Sequence, residues 1–172
     1  MNDVFIINNF YKKCDEILQH ISFNQNLYTF HEGDNAYNYS SYPETNDIDL
    51  IIDFCDSIRY EIQDKYNVKL KSRNHLTALI YLIGGQKGPH TDEYHDAHDL
   101  VNRKKIHVYS SVYYPNDDYV GGELCFPNIN LKIKPEKNSL VLFPCEYLHY
   151  AEKITSGNKI SITHFWELSN EL

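Results

Sequence analysis

Residues 76–92 read Leu76-Thr77-Ala78-Leu79-Ile80-Tyr81-Leu82-Ile83-Gly84-Gly85-Gln86-Lys87-Gly88-Pro89-His90-Thr91-Asp92. The run from Leu76 to Ile83 is apolar, β-branched and aromatic, and it stops at Gly84-Gly85, as a strand stops at a turn. Beyond the turn stand His90 and Asp92. On a strand, positions i and i+2 point to one face, so an imidazole and a carboxylate would converge one pleat apart.

Outward from this stretch, toward the C-terminus, the texture stays β. Ile106 to Tyr114 alternates, Pro115-Asn116-Asp117-Asp118 turns, and Gly121-Gly122 leads into Glu123 to Phe126. Leu131 to Ile133, Ser139 to Phe143 and Lys159 to Phe165 follow, with turns at Pro135 to Asn138 and at Ser156-Gly157-Asn158. Toward the N-terminus the pattern is helical. After a short strand at Asp3 to Ile7, Tyr11 to Ile21 carries Cys14, Ile17, Leu18 and Ile21 at helical spacing. Residues 24–42 show no clear period and read as loop, with a possible strand around Leu27 to Phe30. Pro43 to Asp47 offers capping chemistry for a second helix running to about Lys65, with Ile48, Ile51, Ile52, Cys55, Ile58 and Ile62 on one face. Short strands after two helices predict a mostly β fold, a double-sheet roll or barrel with helices packed outside. One domain over 1–172 is expected, with helical support over about 1–66 and the β core over about 67–168.

The bulk numbers exclude some partners. A formal charge of −8, from 16 basic and 24 acidic side chains, argues against a nucleic-acid partner, which a basic face would grip through phosphates. Cys14, Cys55, Cys125 and Cys145 form no CxxC pair, as expected for reduced, intracellular thiols. The apolar run Val4 to Ile7 is too short for a signal core, and nothing approaches a membrane span, so a soluble, cytoplasmic protein is expected.

His90 and Asp92 need a third partner to hold a metal. His149, in Tyr147-Leu148-His149-Tyr150, lies 57 positions past Asp92 (149 minus 92). Two histidines and one carboxylate on a triangular face leave three coordination positions free, the donor set of non-haem iron(II) oxygenases. His-x-Asp alone is a weak signal. Lys159, ten positions past His149 at the start of a strand, strengthens it, because an inward-facing lysine at the end of a barrel is costly unless it meets an anion. A local zinc site from His90, His95 and His98 is the competing reading, disfavoured because structural zinc usually takes four ligands, cysteine among them.

From about Leu76 to Trp166 the chain resembles the prolyl 4-hydroxylase branch of the iron(II)- and 2-oxoglutarate-dependent dioxygenases. The pieces are Tyr81 to Gly84 before His90-Thr91-Asp92; Val112 to Pro115; Gly121 to Pro127; Ile133-Lys134-Pro135 with Ser139 to Phe143; His149; and Gly157 to Trp166. The resemblance implies a double-stranded β-helix, the cupin-like jelly roll. It implies iron(II) on His90, Asp92 and His149, with 2-oxoglutarate, dioxygen and ascorbate as further requirements, and Lys159 on the distal carboxylate of 2-oxoglutarate. Tyr81, Tyr114 and Thr163 would stand near that co-substrate, although each tyrosine is equally readable as a core aromatic. Phe165 would be pocket wall. Asp92 favours hydroxylation, since halogenating relatives lack this carboxylate. The implied reaction hydroxylates a prolyl residue of a peptide or protein; another protein side chain, a free amino acid or a small metabolite is the alternative. Residues 93–105 would form a lid. His164 reads as structural. Lys87-Gly88-Pro89 departs from the family, which often has an aromatic residue about three positions before the first histidine. Asn138 stands where a glycine is more typical, and asparagine accepts the left-handed conformation.

Overall fold

The computed structural model describes residues 3–24, 27–40, 48–94 and 106–169. Its framework is a seven-stranded antiparallel sheet. Strands β1 (Phe5–Ile7), β2 (Thr29–His31), β3 (Ala36–Ser40), β4 (Thr77–Tyr81), β6 (Tyr109–Tyr114), β10 (Ser139–Pro144) and β13 (Lys159–Trp166) lie in the order β1-β10-β6-β13-β4-β3-β2. A four-stranded sheet faces it, ordered β5 (Lys87–His90), β11 (His149–Ala151), β8 (Leu124–Phe126) and β9 (Leu131–Ile133). A small ribbon pairs β7 (Val120–Gly121) with β12 (Ile154–Ser156). Two helices, α1 (Cys14–Phe23) and α2 (Ile48–Tyr66), complete the set. This is the expected jelly roll with helices outside.

Two apolar layers hold it together, and strand alternation decides which residue enters which. On β13, Ile162 and Trp166 join Ile17, Ile21, Ile51, Phe54, Ile58 and Ile62 of the helices in one buried cluster. Val112, Tyr114, Val141 and Phe143 of the large sheet meet Leu124, Phe126 and Ile133 of the small one in the second. His164, on the helix side of β13, is 2% exposed, with Nε2 bonded to His75 O at 2.9 Å; burial pushes its pKa down to about 3, so it stays neutral. Its structural reading agrees with this placement.

Several expectations are corrected. The first helix starts at Cys14, not Tyr11, because the Phe10 and Tyr11 N–H groups donate to the main chain and side chain of Asn138 instead of entering the helix. Asn138 itself has φ +61°, the left-handed conformation expected of it. Ile52 is 39% exposed, and Phe54 takes its place on the buried face of α2. The stretch 24–42, read as loop with a strand around Leu27 to Phe30, contains the β2–β3 hairpin: the expected strand overlaps β2, and β3 is the addition, turned through left-handed Asn35 and paired onto β4. The capping residues Pro43 to Asp47 and nearly all of the expected lid, residues 95–105, lie outside the described residues, as do His95 and His98 of the zinc alternative. Among the described residues no helix is long and apolar enough to cross a membrane, and the four cysteines are buried and form no disulfide.

Candidate active site

His90 ends β5 and His149 begins β11, and the two are direct partners across the antiparallel pair. That register brings their rings to 4.3 Å between centroids. Asp92 is not on the strand, contrary to the pleat argument: β5 ends at His90. The carboxylate reaches the histidines because the chain bends away from the sheet and the Asp92 N–H donates to Cys145 O at 2.9 Å. Its Oδ1 lies 3.4 Å from His90 Nε2 and its Oδ2 lies 3.5 Å from His149 Nε2. The three donor atoms all fall within 4.8 Å of one another.

Local hydrogen bonds aim both rings at the centre. His90 Nδ1 is 2.8 Å from Gly88 O and His149 Nδ1 is 2.9 Å from Tyr147 O. A carbonyl only accepts, so each Nδ1 carries a proton and each Nε2 is the atom turned toward the centre. Burial lowers the His149 pKa and favours the neutral ring. His90 is raised, chiefly by its hydrogen bond to Asp92. Burial pushes the Asp92 carboxyl up, but His90, the nearby His149 and the Ser110 hydroxyl together hold it below its ordinary value.

These residues line one wall of a cavity of about 290 Å³ between the sheets. The opposite wall carries Tyr81, Tyr114, Lys159, Ser161, Thr163 and Phe165. Lys159, Thr163 and Phe165 thus share a face, at alternate positions of β13. Lys159 is 2% exposed, and its Nζ donates to Gly122 O at 2.5 Å. The ammonium sits 4.9 Å from the Tyr114 ring centroid and 5.8 Å from that of Tyr81. Among the described residues no carboxylate pairs with it. Burial pulls its pKa down to about 8. Burial likewise raises the Tyr81 and Tyr114 hydroxyls, which stay protonated as hydrogen-bond donors.

Sequence reading missed three cavity neighbours. Asn38 lines the cavity from β3, with a buried Oδ1 that has no hydrogen-bond partner. Ser161 shares the Lys159 face, a position that the alternation of β13 already marked. Ser110 donates to Asp92 Oδ2 at 2.7 Å; no spacing rule relates residues 92 and 110.

The comparisons agree with this geometry. No protein of curated function matches the chain in sequence. Among solved structures, a viral collagen prolyl hydroxylase from Paramecium bursaria chlorella virus 1, in its 2OG complex, superposes with a TM-score of 0.73 at 19% identity, over 98% of this chain and 97% of that one. A prolyl-4-hydroxylase from Pseudomonas putida gives 0.76 at 14% identity, over 99% and 95%. A prolyl hydroxylase from Trichoplax adhaerens, bound to a hypoxia inducible factor peptide fragment, gives 0.73 at 17% identity, over 97% and 84%. At such identities the likeness is one of fold. The sequence profile of the 2OG-Fe(II) oxygenase superfamily matches residues 76–167, which span β4 to β13 and include both ligand stretches and Lys159. That match covers more than half of the 172 residues, and the chain belongs to the 2OG-Fe(II) oxygenase superfamily.

Proposed function

We propose that this oxygenase hydroxylates prolyl residues in a peptide or protein, with iron(II) on His90, Asp92 and His149 and the distal carboxylate of 2-oxoglutarate on Lys159. The observation that carries the reading is the buried ammonium of Lys159 in the same cavity as the two imidazoles and the carboxylate. A buried cation without a counter-ion is costly, and a dianionic co-substrate supplies one. The donor set fits iron: two imidazoles and one carboxylate, converging from one side and leaving the cavity side free. When bound, the ferrous ion supplies the redox chemistry by which dioxygen and 2-oxoglutarate become carbon dioxide and succinate while a C–H becomes C–OH.

The chain's own residues bind, orient and exclude water. Lys159 sets the depth of the co-substrate, and Tyr81 and Tyr114 close over the ammonium and offer hydroxyl donors. Thr163 stands on the same strand face, nearer the middle of β13. Phe143 and Phe126, 4.7 and 5.9 Å from the His149 ring, keep the metal side dry. Support for a prolyl substrate comes from the prolyl hydroxylases that share the fold, one of them holding a peptide. Residues 1–172 act as one unit in this reading, and ascorbate sustains turnover.

Succinate release with iron(II), ascorbate and proline-rich peptides, with mass spectrometry for a +16 Da product, tests the proposal. His149→Ala should abolish turnover, and Lys159→Ala should raise the 2-oxoglutarate KM by roughly 100-fold or more, as expected when a buried charge pair loses a partner. Turnover that survives His149→Ala overturns the metal assignment. Peptide-independent succinate release, with no peptide modified, points instead to another side chain, a free amino acid or a small metabolite.

A further inference from the structure

Asp92 is the one metal-site residue that stands beyond the end of its strand, and besides its neighbour His90 its side chain is held by a residue from elsewhere in the chain. The two histidines are oriented locally, each by a carbonyl two residues upstream. Asp92 instead meets Ser110, a residue 1% exposed on the cavity-side face of β6, whose Oγ lies 2.7 Å from Oδ2. The same Oγ lies 3.1 Å from the Cys145 Sγ.

The direction of these bonds follows from counting protons. An ionised carboxylate has none to give, so the Ser110 hydroxyl donates to Asp92. Its single proton is then committed, and its oxygen can only accept from the Cys145 thiol. The result is a directed chain, thiol to hydroxyl to carboxylate, in which each bond polarises the next. Cys145 adds a main-chain anchor: its carbonyl accepts the Asp92 N–H at 2.9 Å, and its own N–H donates to Val108 O at 3.0 Å. Both the backbone and the side chain of Asp92 are thereby referred to the β6–β10 pair, across the cavity from the histidines' own sheet.

We infer that Ser110 is a positioning residue for the metal, fixing the rotation of the Asp92 carboxylate so that it faces the two imidazoles. The inference rests on the proposed iron site and deepens it. A hydroxyl that orients a ligating carboxylate sets metal affinity without touching the metal. Loss of the hydroxyl removes the bond that fixes the rotation of the Asp92 carboxylate.

The test is a titration of the purified metal-free full chain with Mn(II), a redox-stable stand-in for iron(II), following free Mn(II) by electron paramagnetic resonance. Ser110→Ala should weaken binding by roughly 10- to 100-fold, whereas Ser110→Thr, which keeps the hydroxyl, should stay within about threefold of wild type. The thermal midpoints of the metal-free variants should match wild type. Wild-type affinity in Ser110→Ala, alongside abolished binding in His149→Ala, overturns the positioning role and leaves the metal site standing. Equal weakening in both Ser110 variants with lowered midpoints overturns it too, as a packing effect. Unchanged Mn(II) affinity in His149→Ala overturns the metal site and the inference together.

Discussion

At the scale of single residues, Lys159 makes the sharpest demand. Its pKa is pulled down to about 8 by burial, and only the protonated form can neutralise a dicarboxylate. Well below pH 8 the ammonium prevails and affinity is flat; above pH 8 the neutral amine prevails and affinity falls. The 2-oxoglutarate KM should therefore change little below pH 7, about double between pH 7 and 8, and approach a tenfold rise per pH unit above about 9. Steady-state kinetics from pH 7 to 9.5 check this, and a flat KM across that range would deny Lys159 its role. The residues that the sequence singled out and the structure gathers around one cavity were those with a costly side chain in a telling place: His90, Asp92, His149 and Lys159. Asn38 and Ser110 stayed hidden because an amide or a hydroxyl is cheap almost anywhere. The adjacent Ser110 and Ser111 give no contrast in polarity, although one meets Asp92 and the other accepts the Trp166 indole N–H at 2.9 Å on the opposite face.

At the scale of elements, the turn after β7 sets where Lys159 can lie. Gly122 has φ +72°, and a Cβ there would stand 2.5 Å from Ile154 Cδ1 and 2.9 Å from Lys159 Cδ. Neither contact is tolerable without displacement, and the left-handed backbone adds strain. Gly122→Ala should accordingly raise the 2-oxoglutarate KM by about tenfold or more while leaving Mn(II) affinity near wild type, since the strain falls beside the ammonium and not beside the imidazoles. Parallel titrations of metal and co-substrate separate the two. Strongly patterned elements, such as the alternating β13 and the continuous apolar run of β10, were legible from sequence nearly to the residue. The β2–β3 hairpin was not. Its edge strand is exposed at all three positions, and β3 turns Asn38 rather than an apolar residue toward the cavity, so neither strand shows the expected period. The site depends on that hairpin all the same, because Lys87 Nζ pairs with Asp34 Oδ2 at 2.7 Å and ties β5 to the hairpin turn.

At the scale of the molecule, the site is built between the two sheets while much of the fixed framework lies between the large sheet and the helices. Phe54 of α2 is fully buried, with its ring 5.0 Å from both Tyr11 and Tyr113. Phe54→Ala should cost about 3–5 kcal/mol of stability through lost burial and the cavity left behind. Urea unfolding measures it, and the KM values of the folded fraction should hardly move, because the removed ring faces away from the cavity. An equal loss of co-substrate affinity would show that the two layers are not separable.

That separation is written into a single strand. Along β13 the odd positions 159, 161, 163 and 165 look into the chemistry, and the even positions 160, 162, 164 and 166 look into the scaffold. A substitution at an odd position can therefore retune what the enzyme accepts while the even positions go on specifying how it folds. An inserted or deleted residue would exchange the two sets at a stroke. Such a strand can drift in what it recognises by point changes, yet its length is locked.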